Sequence, residues 1–65
     1  MEKLFQTPNY GEITVRTAMF DVDGKNLEEG IEIKGEDIGL IELYGWRDID
    51  EMTIEELENL IEINL

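Results

Sequence analysis

The sequence predicts an α+β fold in a single βββα domain over residues 1–65: a three-stranded antiparallel β-meander, about 12–22, 27–34 and 38–44, followed by one C-terminal α-helix, about 54–63, packed on one sheet face. Three observations predict it. Residues 12–44 hold three runs rich in β-branched and aromatic side chains, separated by glycine-bearing turns. Residues 53–61 carry a helix start signal and an apolar stripe at helical spacing. The connections are short, which favours antiparallel neighbours with the helix laid over one face.

Taken in order, residues 1–11 read as an extended lead-in and a turn, because Thr7-Pro8 and then Asn9-Tyr10-Gly11 interrupt any regular element. The first strand is EITVRTAMFDV, Glu12 to Val22. Ile13 and Val15 share one face, whereas Ala18, Phe20 and Val22 share the other. Either a bulge near Arg16-Thr17 shifts the phase, or Met19 continues the first face and both faces are partly covered. The second strand, Leu27 to Lys34, sets Ile31 and Ile33 against Glu32 and Lys34. Gly35-Glu36-Asp37 turns the chain into the third, Ile38 to Tyr44.

The helix has the clearest local signal. Thr53 with Glu56 three residues on is a capping box, and Met52 and Leu57 stand at the positions of a hydrophobic staple. Ile54, Leu57, Leu60 and Ile61 then form the apolar stripe that faces the sheet.

The stretch FDVDGK, residues 20–25, carries most of what looks like chemistry. It resembles the first motif of the haloacid dehalogenase-type phosphatases, a hydrophobic strand running into Asp-x-Asp-Gly; the resemblance implies Asp21 as nucleophile and Asp23 as acid/base. Lys25 stands where that family has threonine or valine, and the chemistry needs a magnesium site, a lysine and a parallel sheet with helices that 65 residues do not house. Counted as a calcium loop, Asp21, Asp23 and Glu32 fall at positions one, three and twelve, but Lys25 falls at five and Asn26 takes the glycine position. Asp23-Gly24 between two β-patterned runs is a strong hairpin signal, matching a type I′ turn. The hairpin explains these residues most simply.

Composition narrows the function. Without cysteine or histidine, the usual zinc ligand sets and thiol redox chemistry are excluded, and no metal or cofactor is expected. With threonines confined to strand and cap positions, no catalytic residues and no enzymatic activity are expected. There is no secretory signal pattern and no run of ~20 apolar residues, so a cytoplasmic location is expected. Seventeen acidic residues against five basic ones give a formal net charge of −12. Such a surface repels nucleic acid and anionic lipid and attracts basic surfaces.

The acids concentrate in the last third of the chain. From Asp48 to Leu65 there are seven acids, Asp48, Asp50, Glu51, Glu55, Glu56, Glu58 and Glu62, and no lysine or arginine. Glu55 and Glu56 favour the helix N-terminus electrostatically, whereas Glu58 and Glu62 repel each other and approach its negative end. Carboxylates about 5–6 Å apart along a helix imitate a phosphate backbone with its repeat of roughly 3.4 Å per strand. The expected partner is therefore the basic, nucleic-acid-binding surface of another protein, with Asp50, Glu51, Glu55, Glu58 and Glu62 as anchors. Tyr44 and Trp46, in GLIELYGWRDI, are expected to add apolar contact, as residue types enriched in hot spots; alternatively Trp46 folds over the core edge after Gly45. In size and charge the chain is similar to small acidic proteins of phages and mobile elements that inhibit host factors, some as nucleic-acid mimics. The alternative is a homodimeric assembly module whose acids only keep it soluble, burying an apolar patch of Phe20, Val22, Leu40, Tyr44 and Trp46 on the second sheet face.

Overall fold

The computed structural model describes residues 1–21 and 23–65. Its elements are β1 (Glu2–Thr7), β2 (Gly11–Asp21), β3 (Leu27–Gly35), β4 (Gly39–Tyr44) and α1 (Ile54–Asn64). The strands form one antiparallel sheet in the order β1-β2-β3-β4. The α+β class and the C-terminal helix agree with the sequence reading. The strand count does not: the lead-in expected before residue 12 is a fourth strand. Its six residues alternate Glu2, Leu4 and Gln6 with Lys3, Phe5 and Thr7, a pattern too short and too charged to stand out. Pairing makes it a strand, since Phe5 lies opposite Ile13 and is buried against it.

The phase question in β2 is decided by register. Its pairing with β3 runs without interruption from Ile13↔Gly35 to Asp21↔Leu27. No bulge intervenes, and Met19 continues the face of Ile13 and Val15. Met19 is nonetheless 55% exposed. The last residue of the expected strand, Val22, lies outside the described residues.

The β1–β2 and β3–β4 hairpins turn alike. Each has a three-residue loop, 8–10 or 36–38, followed by a glycine that re-enters the ladder, Gly11 at φ 73° and Gly39 at φ 69°. Only glycine takes this left-handed conformation without strain. The Thr7 hydroxyl fastens the first loop, accepting from the Tyr10 N–H at 3.1 Å and donating to the Gly11 carbonyl at 2.9 Å.

The β2–β3 hairpin is present but its turn differs from the expected type I′. Asp21↔Leu27 is the closing pair, so the connection spans residues 22–26. Gly24 has φ 81°, and among the described residues no non-glycine has positive φ, whereas type I′ requires it at both central positions. Side-chain bonds take the place of that geometry. The Asp23 carboxylate accepts the N–H groups of Lys25 and Asn26, both at 2.9 Å, and the Asp21 carboxylate accepts that of Gly24 at 2.7 Å.

One face of the sheet carries the core. Phe5, Ile13, Val15, Ile31, Ile33 and Ile41 meet Ile49 and Met52 from the segment after β4, and Leu57 and Ile61 from α1. Thr53 caps the helix, its hydroxyl accepting the Glu56 N–H at 3.1 Å. The Glu56 carboxylate accepts from the same hydroxyl at 3.1 Å where a capping box would have it reach the Thr53 N–H. Met52 and Leu57 are both buried, as the staple requires. Of the expected stripe, Leu57 and Ile61 are buried, Leu60 half-buried and Ile54 exposed.

Candidate interaction surfaces

The helix layer is where carboxylates gather, and their surroundings divide them into two sets. Three have structural partners. Asp48 accepts the Asp50 N–H at 3.1 Å, which turns the chain so that Ile49 enters the core. Glu56 completes the cap. Glu58 accepts both the N–H and the side-chain amide of Asn9, at 2.9 and 3.0 Å, and so ties α1 to the first hairpin. The sequence reading placed Glu58 among the free anchors; this bond was not visible because its partner lies 49 positions away.

The other four, Asp50, Glu51, Glu55 and Glu62, are exposed, and among the described residues their carboxylates make no hydrogen bond or ion pair. Asp50 takes part only through its carbonyl, which accepts from Lys3 Nζ at 3.5 Å. Glu55, Glu58 and Glu62 stand at i, i+3 and i+7, on one flank of α1. Tyr10 lies beside that flank: desolvation, then Glu62 and Glu58, raise its hydroxyl above the usual 10.0. The opposite flank, with Glu56, Leu60 and Ile63, borders a shallow depression shared with Arg47, Glu51 and Met52.

The second sheet face is open, and the registers show its plan. Glu2, Arg16, Glu32 and Glu42 are successive cross-strand neighbours, forming a charged belt across all four strands. Arg16 and Glu32 make an ion pair at 2.9 Å, and the Arg16 guanidinium is raised further above its usual range by that hydrogen bond and the charge of Glu32. On one side of the belt lie Leu4 and Leu40. On the other, Phe20 and Tyr44 meet edge to face at 5.0 Å over Gly30. The single apolar patch expected there is thus divided: Leu40 is cut off from Phe20 and Tyr44, and Val22 lies outside the described residues.

The expected partner-binding residues do not form one surface. Tyr44 points to the open face, away from α1. Trp46 follows Gly45, whose φ of 101° ends the strand alignment, and is 67% exposed. It does not fold over the core edge. Asp50, Glu51, Glu55 and Glu62 all lie in the helix layer, with Glu51 at the depression on one flank of α1 and Glu55 and Glu62 on the other. The belt itself went unseen in the sequence, though its members stand at alternating strand positions that a known register would have joined.

Among the described residues, no group of three or more acidic, histidine or cysteine side chains is placed to hold a metal ion, and no helix is long and apolar enough to cross a membrane. No protein-family model, curated protein or solved structure matches this chain.

Proposed function

We propose that this chain is a small, non-enzymatic, acidic protein-binding module whose helix layer occupies a basic, nucleic-acid-binding surface of another protein by imitating a phosphate backbone. The observation that carries this reading is the set of four exposed carboxylates, Asp50, Glu51, Glu55 and Glu62, that serve no partner of their own among the described residues. Carboxylates already engaged by Asn9 or by the helix cap would have to exchange one bond for another. Free ones lose only water and counter-ions, as phosphates do.

The test is capture by the tagged chain from a bacterial lysate at low and high salt, with and without competing DNA. A nucleic-acid-binding protein released by both salt and DNA is expected. The variant Glu51→Gln/Glu55→Gln/Glu62→Gln, which spares Glu58 and its link to Asn9, is expected to lose capture while its circular dichroism is unchanged. Undiminished capture by that variant sinks the reading.

A second reading is a self-associating assembly module with its acids serving solubility. The observation favouring it is the exposure of Leu40, Tyr44 and Trp46 along one side of the sheet, at 55%, 56% and 67%. It predicts an oligomer indifferent to moderate salt.

A further inference from the structure

The two edges of the sheet differ in how they are guarded. Gly45 N–H donates to the Glu29 carbonyl at 2.9 Å, in line with the β3–β4 register. By the alternation of antiparallel ladders, Leu43, Ile41 and Gly39 then bond inward to β3. Leu40, Glu42 and Tyr44 turn their N–H and C=O groups outward. The corresponding edge of β1 presents Glu2, Leu4 and Gln6, has Lys3 within it and lies beside α1. Edge strand β4 has no lysine, no proline and no bulge; Glu42 is its one charge. An unprotected edge of this kind pairs with another strand.

We infer that β4 is a self-pairing edge: two copies of this chain join β4 to β4, antiparallel and centred on Leu43, into one eight-stranded sheet. This rests on the self-association reading and assigns its surface, which is the edge of the sheet and not the belted face. Three symmetric registers pair at least two outward residues of each copy. Centring on Glu42 sets two carboxylates directly opposite, which is destabilising. Centring on Ile41 brings together the two Ile41 side chains, which are already buried, and leaves Tyr44 beyond the ladder. Centring on Leu43 lets Glu42 and Tyr44 of each copy exchange four backbone hydrogen bonds. It also joins the half-buried Leu43 side chains.

The charge of the helix layer does not oppose this arrangement. Of the strands, β1 lies closest to α1, three strand spacings from the seam, so the two acidic helices stand roughly 30 Å apart. That is several Debye lengths at physiological salt, about 8 Å. Joining β1 edges would bring the same helices together.

The experiment is sedimentation velocity on the whole chain from about 1 μM to about 1 mM, followed by oxidation of Ile41→Cys, Glu42→Cys and Leu43→Cys in a chain with no native cysteine. A monomer–dimer equilibrium is expected, with a disulfide dimer forming from Leu43→Cys alone. Residues facing at a non-hydrogen-bonded antiparallel position have Cα atoms about 4.5 Å apart, within disulfide range. Glu42→Pro removes an outward donor without touching the β3 ladder and is expected to be monomeric. If that variant does not fold, hydrogen exchange of the wild type decides: the Glu42 and Tyr44 amides are expected to slow as concentration rises. A monomer at every concentration overturns self-association and this edge with it. A dimer that bridges at 41 or 42, or that leaves those amides unprotected, keeps self-association and overturns the edge.

Discussion

The two faces of the sheet are built from the same strands and are opposites in kind. Ile31 and Ile33 point to one face and are fully buried; Glu32 and Lys34, between and beside them, point to the other and meet the charged belt. The covered face has one job, to exclude water against Ile49, Leu57 and Ile61. The open face spreads four charged residues across its middle and gathers its aromatics at one end. The contrast teaches that stability in this small protein is concentrated on one side of a sheet. The open face has few folding duties beyond the Arg16–Glu32 ion pair, the Phe20–Tyr44 contact and the close approach at Gly30.

Neighbouring substitutions on opposite faces test this most directly. Ile33→Ala is expected to cost about 2–5 kcal/mol, whereas Lys34→Ala should change stability by no more than about 0.5 kcal/mol; urea denaturation of both compares the faces. Gly30 is the place where the open face does carry a steric demand. A methyl group there would meet the Leu43 carbonyl and lie 2.7 Å from Phe20 Cε2. Gly30→Ala is therefore expected to destabilise by about 1–3 kcal/mol and to shift the Phe20 ring resonances.

Smaller effects belong to the caps and turns. Thr53→Ala should lose about 1 kcal/mol, read as a lower urea midpoint with an unchanged slope. Asp23 carries a pH signature. The N–H groups of Lys25 and Asn26 hold its carboxyl below the usual 3.8. A depressed carboxyl contributes fully above its unfolded-state value and loses that contribution as pH falls through the lower folded-state value. The stability gap between the wild type and Asp23→Ala should therefore be constant from about pH 7 to pH 5 and close below about pH 4. Trp46→Ala should be the smallest, within about 0.5 kcal/mol, although tryptophan is the largest side chain in the molecule. A loss of several kcal/mol would show that Trp46 belongs to the core.

These residues also show what could be read from sequence. Strands β2, β3 and β4 were legible because their apolar side chains alternate over enough residues to reveal a face, and α1 because its cap and staple are local in the chain. β1 was not, since its two apolar residues, Leu4 and Phe5, are adjacent and so fall on opposite faces, and Phe5 becomes a strand residue only by facing Ile13. The FDVDGK stretch was correctly read as a hairpin, but its turn geometry is held by Asp21 and Asp23 side chains that no dipeptide rule describes. On the helix layer, the concentration of acids was plain, while the division between Glu58, bonded to Asn9, and the free Glu55 and Glu62 depends on a contact across the fold. The belt was hidden for the same reason. Each member is unremarkable in its own strand, and only register aligns them.

The bond between Glu58 and Asn9 bears on how the chain assembles. Every strand pairs with its neighbour in sequence through a short turn, so the hairpins are local and form on a scale of about 1–10 μs. Docking of α1 is different: Glu58 must find Asn9 across 49 positions, and Asp50 must find Lys3 across 47. The order expected from these separations is the sheet first, its isoleucine face still wet, with the helix arriving afterwards as a lid. In that interval Ile13, Ile31 and Ile33 are available to any other chain, beside a β4 edge that is open as well. The rate at which the lid closes, more than the depth of the final energy well, then sets how much of the protein escapes aggregation.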